Sequence, residues 1–219
     1  GDDDQAIFKW AGADVDHFIA LKEEVNDIKI LDQSYRIPGG PIHELSQNII
    51  NKVQNRFQKE YKPREEQGLL KRYSDITQVD MSQGNWLVLS AANYFLEDAK
   101  DLCEIQGWYY QYKGMNSVSL KLLLALNNWE HWRKGDLLNH LEIKNIYEYL
   151  GDNVLVGFQK GKTLHSDGKY TLKECQTDHG LTTSKVWYES FNGLDPMTET
   201  YIRNMRANGE QINKNPRIK

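Results

Sequence analysis

The feature that most limits the fold is a strand–helix–strand pattern over residues 86–112. Trp86-Leu87-Val88-Leu89-Ser90 is a continuous apolar run of the kind found in strands covered on both faces. Asn93 can cap the helical pattern that follows, which carries Phe95, Ala99, Leu102 and Cys103 and stops at Gly107. Trp108-Tyr109-Tyr110-Gln111-Tyr112 then supplies a second strand. A crossover of about a dozen residues makes two such strands parallel and the connection right-handed. The segment 27–114 therefore reads as part of a doubly wound α/β sheet.

Upstream, Asp14 caps a short helix over 14–24, and the β-rich run Ile28-Lys29-Ile30-Leu31 predicts a strand over 28–32. Pro38-Gly39-Gly40 is a turn, and Pro41 suits the first position of a helix. That helix shows one stripe, Ile42, Leu45, Ile49, Val53 and Phe57. Lys62–Gly68 reads as a polar loop and Leu69–Tyr73 as an edge strand. After Gly114 the character changes. A Leu-rich helix spans Val118–Trp132, and another runs from an Asp136 cap to Leu150. Val154–Phe158 is a short strand or buried turn, Lys160–Lys169 an exposed loop, and Pro196–Asn208 a last helix.

At 219 residues the chain exceeds a typical single domain. Its net charge of −4 does not announce a nucleic-acid binder, but the charge is uneven. Residues 1–16 hold five Asp against one Lys, whereas residues 52–72 hold seven Lys/Arg against three Glu. Such basic stretches either meet phosphates or form solvated faces, and the sequence leaves both open. Cys103 and Cys175 are far apart and imply no disulfide framework, which fits a reducing cytosol. No run is long enough for a membrane span. A soluble, cytoplasmic chain with no membrane contact is expected.

The first thirty-six residues carry the candidate chemistry. Gly1 and three carboxylates read as the end of a strand that begins before the sequence does. Gln5 follows, then Phe8 and Trp10 at alternate positions, and the predicted strand 28–32 delivers Tyr35 and Arg36 to its carboxyl end. Ligands of open α/β sheets sit at such ends. A ring beside a guanidinium there suits a nucleotide, the ring for the base and the Arg for a phosphate. Trp10 offers a flat face on which any base can stack. Three adjacent carboxylates at a strand end point different ways, so Asp2, Asp3 and Asp4 read as structural rather than as a Mg²⁺ site. Cys175-x-x-x-His179 with His165 lacks a recognised zinc spacing.

Gly1-Asp2-Asp3-Asp4-Gln5-Ala6-Ile7-Phe8-Lys9-Trp10-Ala11-Gly12-Ala13 resembles motif III of UvrD/Rep/PcrA-like superfamily-one DNA helicases. Gln33-Ser34-Tyr35-Arg36 resembles their motif IV at the expected distance. The resemblance implies the end of a first RecA-like lobe over 1–26 and a partial second RecA-like P-loop NTPase lobe over 27–114. It further implies a mostly helical insertion over 115–212 and a return to the second lobe at 213–219. It implies ATP with Mg²⁺ as cofactors and single-stranded or forked DNA as partner, with 3′ to 5′ movement. Gln5 would pass information between the ATP γ-phosphate and DNA. Tyr35 would stack on adenine, Arg36 would reach the γ-phosphate, and Trp10 with Phe8 and Lys9 would meet DNA. One departure is Ala11, where the family commonly has Arg. No Gly-x-x-x-x-Gly-Lys-Ser/Thr occurs, so the piece itself is expected not to hydrolyse ATP. The rival reading is a non-catalytic DNA-binding or protein-interaction module, with the insertion as its docking surface for a protein partner.

Overall fold

The computed structural model describes residues 2–5, 11–12, 14–151, 154, 163–211 and 214–219. The chain is mixed α/β and divides into two compact units, Gly1–Arg72 and Tyr73–Lys219. The break in contacts follows Arg72, whereas the change of character after Gly114 lies inside the second unit.

The first unit is a parallel strand–helix–strand: β1 (Gln33–Gly39), α2 (Pro41–Ile50) and β2 (Lys62–Gln67), preceded by α1 (Val15–Ala20). Asp14 caps α1, its Oδ1 accepting from the Asp16 N–H at 2.9 Å. Gly40 turns β1 into α2 with φ of 69°, and a Cβ there would lie 2.6 Å from Gln67 Oε1. The positive φ disfavours a side chain at that position, whereas the Gln67 carboxamide could swing aside to make room.

Several expectations need correcting here. Residues 28–32 form no strand. Ile28 and Ile30 are half exposed and Leu31 is 80% exposed, because pairing begins only where Asp32 O accepts from the Lys62 N–H at 2.7 Å. The polar stretch Lys62–Gln67 is a strand rather than a loop, since backbone pairing in a thin two-stranded sheet needs no apolar side chains. Leu69–Tyr73 is not an edge strand. Asp3–Gln5 forms a 3₁₀ turn rather than a strand end, and α2 stops at Ile50, short of Phe57. Among the described residues of this unit no apolar side chain is buried, while Asp3 and Arg56 are.

The second unit has a conventional core. α3 (Glu97–Gln106) ends at Gly107, φ 70°, where a Cβ would come within 2.5 Å of Asn204. This close approach seats α3 on α8 (Pro196–Ala207). β3 (Gln111–Tyr112) and β4 (Met115–Asn116) form a hairpin. α4 (Leu120–Arg133) then contributes Trp129 and Trp132, both with no exposed surface, whose indole N–H groups donate to Lys185 O at 3.1 Å and Tyr170 O at 2.9 Å. A buried Trp needs such a partner for its one polar atom.

β5 (Leu138–Asn139) pairs antiparallel with β6 (Lys169–Tyr170). α5 (His140–Tyr147), α6 (Leu172–Asp178) and α7 (Trp187–Ser190) complete the unit. The cap of α5 is Asn139 in a capping box with Glu142, not Asp136. Asp136 Oδ2 instead meets His131 Nδ1 at 2.8 Å. The run Val154–Phe158 lies mostly outside the described residues.

The expected strands over 86–90 and 108–112 are present only as short ladders, and residues 217–219 lie between them. Trp86 N–H donates to Arg217 O at 2.8 Å, Lys219 N–H to Trp86 O at 3.1 Å and Gln111 N–H to Ile218 O at 2.8 Å, all in parallel bridges. The two strands of the sequence pattern are thus not direct neighbours; the C-terminal residues separate them. No helix among the described residues is long and apolar enough to cross a membrane.

Because Asn139 satisfies two amides at the start of α5, Asn139→Ala is expected to lower the stability of the second unit by about 1 kcal/mol. Asp136→Ala, which touches only an exposed His, is expected to shift it by less than about 0.5 kcal/mol. Urea unfolding followed by tryptophan fluorescence compares the two, and equal effects would place the cap wrongly.

Candidate nucleotide and DNA site

The polar centre of the first unit is an ion cluster joining residues more than fifty positions apart. The Asp3–Gln5 turn, steadied by a 3.3 Å bond from the Asp4 N–H to Asp2 Oδ1, presents its carboxylates to the segment 56–61. Arg56 grips Asp4 with a two-pronged fork, Nε to Oδ1 at 2.9 Å and Nη2 to Oδ2 at 2.8 Å. The Phe57 N–H donates to Asp3 Oδ2 at 2.6 Å. Lys59 Nζ reaches Asp2 at 2.6 Å, Asp4 at 3.2 Å, and Asp3. The Arg56 side chain is only 1% exposed, so these charges interact with little water between them.

Titration follows from this arrangement. Burial alone would raise the Asp3 carboxyl, but the bonds from Lys59 and the Phe57 N–H outweigh it and hold the group below its ordinary value. Burial alone would lower the Lys59 ammonium, and the bonds to Asp2, Asp3 and Asp4 outweigh it and hold it above. The bond to Asp4 raises Arg56 further. Burial, then the Asp2 charge, raises Tyr61.

The three carboxylates do converge, contrary to the expectation that adjacent residues point apart: their ligand atoms lie within 4.8 Å of one another. The turn winds them to one side, and the Lys59 ammonium sits among them where a metal ion would otherwise be held. The basic stretch 52–72 is likewise spent largely inside the unit. Arg56 and Lys59 serve the cluster, Lys62 pairs with Asp32 at 2.6 Å, and Arg64 pairs with Glu66 at 2.7 Å. Sequence reading missed Arg56 and Lys59 as site-forming residues. The signal was present in the two opposite charge runs, at 1–16 and 52–72, which neutralise one another.

Two cavities flank this cluster. One, of about 660 Å³, is lined by Asp2, Asp3, Phe18, Lys22, Phe57 and Lys59, with Arg36 and Tyr61. The other, of about 740 Å³, is lined by Asp2, Asp4, Gln33, Tyr35, Ile50 and Tyr61, again with Arg36. Tyr35 and Arg36 sit within β1, not at its carboxyl end, because the strand begins at Gln33. Tyr35 is 81% exposed, which leaves its ring face open. Among the described residues the Arg36 guanidinium makes no hydrogen bond or ion pair, while its backbone N–H donates to Ser34 Oγ at 3.3 Å. Tyr35 and Arg36 are neighbours along β1 and both line the 740 Å³ cavity, and a guanidinium with no partner among the described residues can take an anion there. Gln33 is structural: its Nε2 donates to Pro63 O at 3.2 Å and ties β1 to β2.

Gln5 closes the 3₁₀ turn, so the backbone brings it to the rim of the same cluster. Phe8, Lys9 and Trp10 lie outside the described residues. A further small cavity, about 140 Å³, opens in the second unit at the carboxyl ends of the parallel ladders, where Lys100 and Lys113 each sit 5.1 Å from the Tyr112 ring centre. Cys103 lines it, but burial pushes its thiol up to about 12, so it is no nucleophile. Cys175 is fully buried and raised to about 11 by burial, while His179 Nδ1 is taken by Thr163 Oγ1 at 2.7 Å. In comparisons with known proteins, no family model, no curated protein and no solved structure matched this chain.

The shifted groups set a pH window. Asp3, depressed below 3.8, contributes stability above its unfolded value that is lost as pH falls through the folded value, in the range below about pH 4. Lys59, raised above 10.5, contributes stability below that value that is lost as pH climbs beyond it. Limited proteolysis of the first unit should accelerate outside this window and be nearly flat inside it. Asp3→Asn should remove protection already at neutral pH, and an unchanged digestion rate would contradict the assignment.

Proposed function

We propose that this chain is part of an ATP-dependent motor of the UvrD/Rep/PcrA-like kind, coupling ATP hydrolysis to movement along single-stranded DNA. On this reading residues 27–114 and the returning residues 213–219 belong to a RecA-like second lobe, with a mostly helical insertion over 115–212. The observation that carries it is the Arg36 guanidinium, without a partner among the described residues, lining one cavity with the exposed Tyr35 and with Asp2 and Asp4. Motif-III-like and motif-IV-like residues, thirty positions apart, thus meet at one place. Support also comes from residues 217–219 pairing in parallel with both 86–88 and 110–111, as a lobe interrupted by an insertion requires.

In this scheme Tyr35 stacks on adenine and Arg36 meets the γ-phosphate, stabilising charge that develops during transfer. ATP would arrive with Mg²⁺, held by parts of the motor beyond these residues, since the chain has no phosphate-cradling Gly-rich loop. Trp10, Phe8 and Lys9 would take the DNA, and Gln5 would link the two sites. Movement 3′ to 5′ and a cytoplasmic location follow from the resemblance alone.

The test is phosphate release by the complete gene product with single-stranded DNA present. Arg36→Ala should lower DNA-stimulated turnover by about 10³-fold, the scale of a bridging arginine. The 219-residue chain alone should release none. Turnover that survives Arg36→Ala would remove the catalytic role and favour a non-catalytic binding module.

A further inference from the structure

The Asp2–Asp4 carboxylates are bound by Arg56, Phe57 and Lys59, and this grip has a direct mechanical path to Arg36. From Lys59 the chain needs only Glu60 and Tyr61 before it enters β2 at Lys62. β2 is in turn hydrogen-bonded to β1, with Gln33 opposite Lys62 and Pro38 opposite Arg64, and β1 carries Arg36. Tyr61 and Asp2 both line the two cavities that Arg36 also lines. The Asp3–Gln5 turn therefore reaches the Arg36 strand through one charge cluster and one short covalent segment.

We propose that Arg56 and Lys59 are positioning residues: they clamp the Asp3–Gln5 turn to the strand carrying Arg36, so that Gln5 and Arg36 share one rigid frame. The inference rests on the proposed motor reading for its consequence in catalysis, but its geometry stands apart from it. Directionality distinguishes a clamp from mere stabilisation. Apolar residues of equal volume can replace a buried ion pair without loss of stability. They cannot replace a fork that fixes a carboxylate plane, nor an ammonium that gathers three carboxylates around one point.

The discriminating substitution is Arg56→Lys, which keeps the charge and discards the fork. Residue-resolved amide hydrogen exchange on the 219-residue chain should show exchange at Asp4 and Gln5 rising about tenfold or more, while the β1–β2 amides of Lys62 and Gly68 change by less than about twofold. Loosening of turn and ladder together would mean general destabilisation and overturn the clamp, as would an unprotected turn in the unaltered chain. In the complete gene product, Arg56→Lys should reduce DNA-stimulated kcat about tenfold with the KM for ATP within about twofold. A KM that rises in step with the loss of kcat would overturn positioning in favour of a binding defect. Absence of DNA-stimulated turnover in the unaltered protein would defeat the motor reading, and the exchange experiment would still decide whether the clamp exists.

Discussion

The interaction on which the first unit depends is the encounter of three carboxylates with Arg56 and Lys59. A segment of this length ordinarily holds together by burying apolar side chains, yet its buried side chains among the described residues are charged. Charges in such a position are tolerated only when they satisfy one another, and here they do so through a fork, a backbone N–H and a shared ammonium. Removing either cation would leave uncompensated carboxylates out of water. The architecture is therefore demanding: it holds the Asp3–Gln5 turn in one place or lets it go.

The second unit is built on the opposite principle. Its core is aromatic, with Trp129 and Trp132 edge-on to one another at 5.9 Å and each supplied with a carbonyl partner. Tyr201 reaches across from α8 to the backbone of Trp108 and to Ser117, tying the late helices to the early ladders. That connection explains why no break in contacts follows Gly114 although the composition changes there. A rigid unit of this kind can be interrupted by helices and still receive residues 217–219 back into its parallel ladders.

Much of this was legible in the sequence and some was not, for identifiable reasons. Asp14, Pro41, Gly107 and Pro196 mark helix ends through local backbone chemistry, and each end falls where that chemistry puts it within a few residues. Asn139 was overlooked in favour of Asp136 because both are good caps; only Asn139 has Glu142 three residues on to complete the box. The strand at Lys62–Gln67 was hidden by its polarity, and the apolar run 28–32 misled because burial of a strand depends on a partner that sequence does not announce. The convergence of Asp2–Asp4 on Arg56 and Lys59 is a long-range pairing, invisible to local pattern though hinted at by opposed charge runs. Pattern singles out Tyr35 and Arg36 as candidates, but their place within β1 depends on pairing with β2.

The central claim is that the Tyr35 ring and the Arg36 guanidinium serve one nucleoside triphosphate. Photolabelling of the complete gene product with 8-azidoadenosine triphosphate, followed by peptide mapping, addresses it directly. The account predicts adenine cross-linked to the peptide containing Tyr35, competed by ATP and lost in Tyr35→Ala. Labelling confined to other peptides, with Tyr35→Ala unaffected, would contradict it.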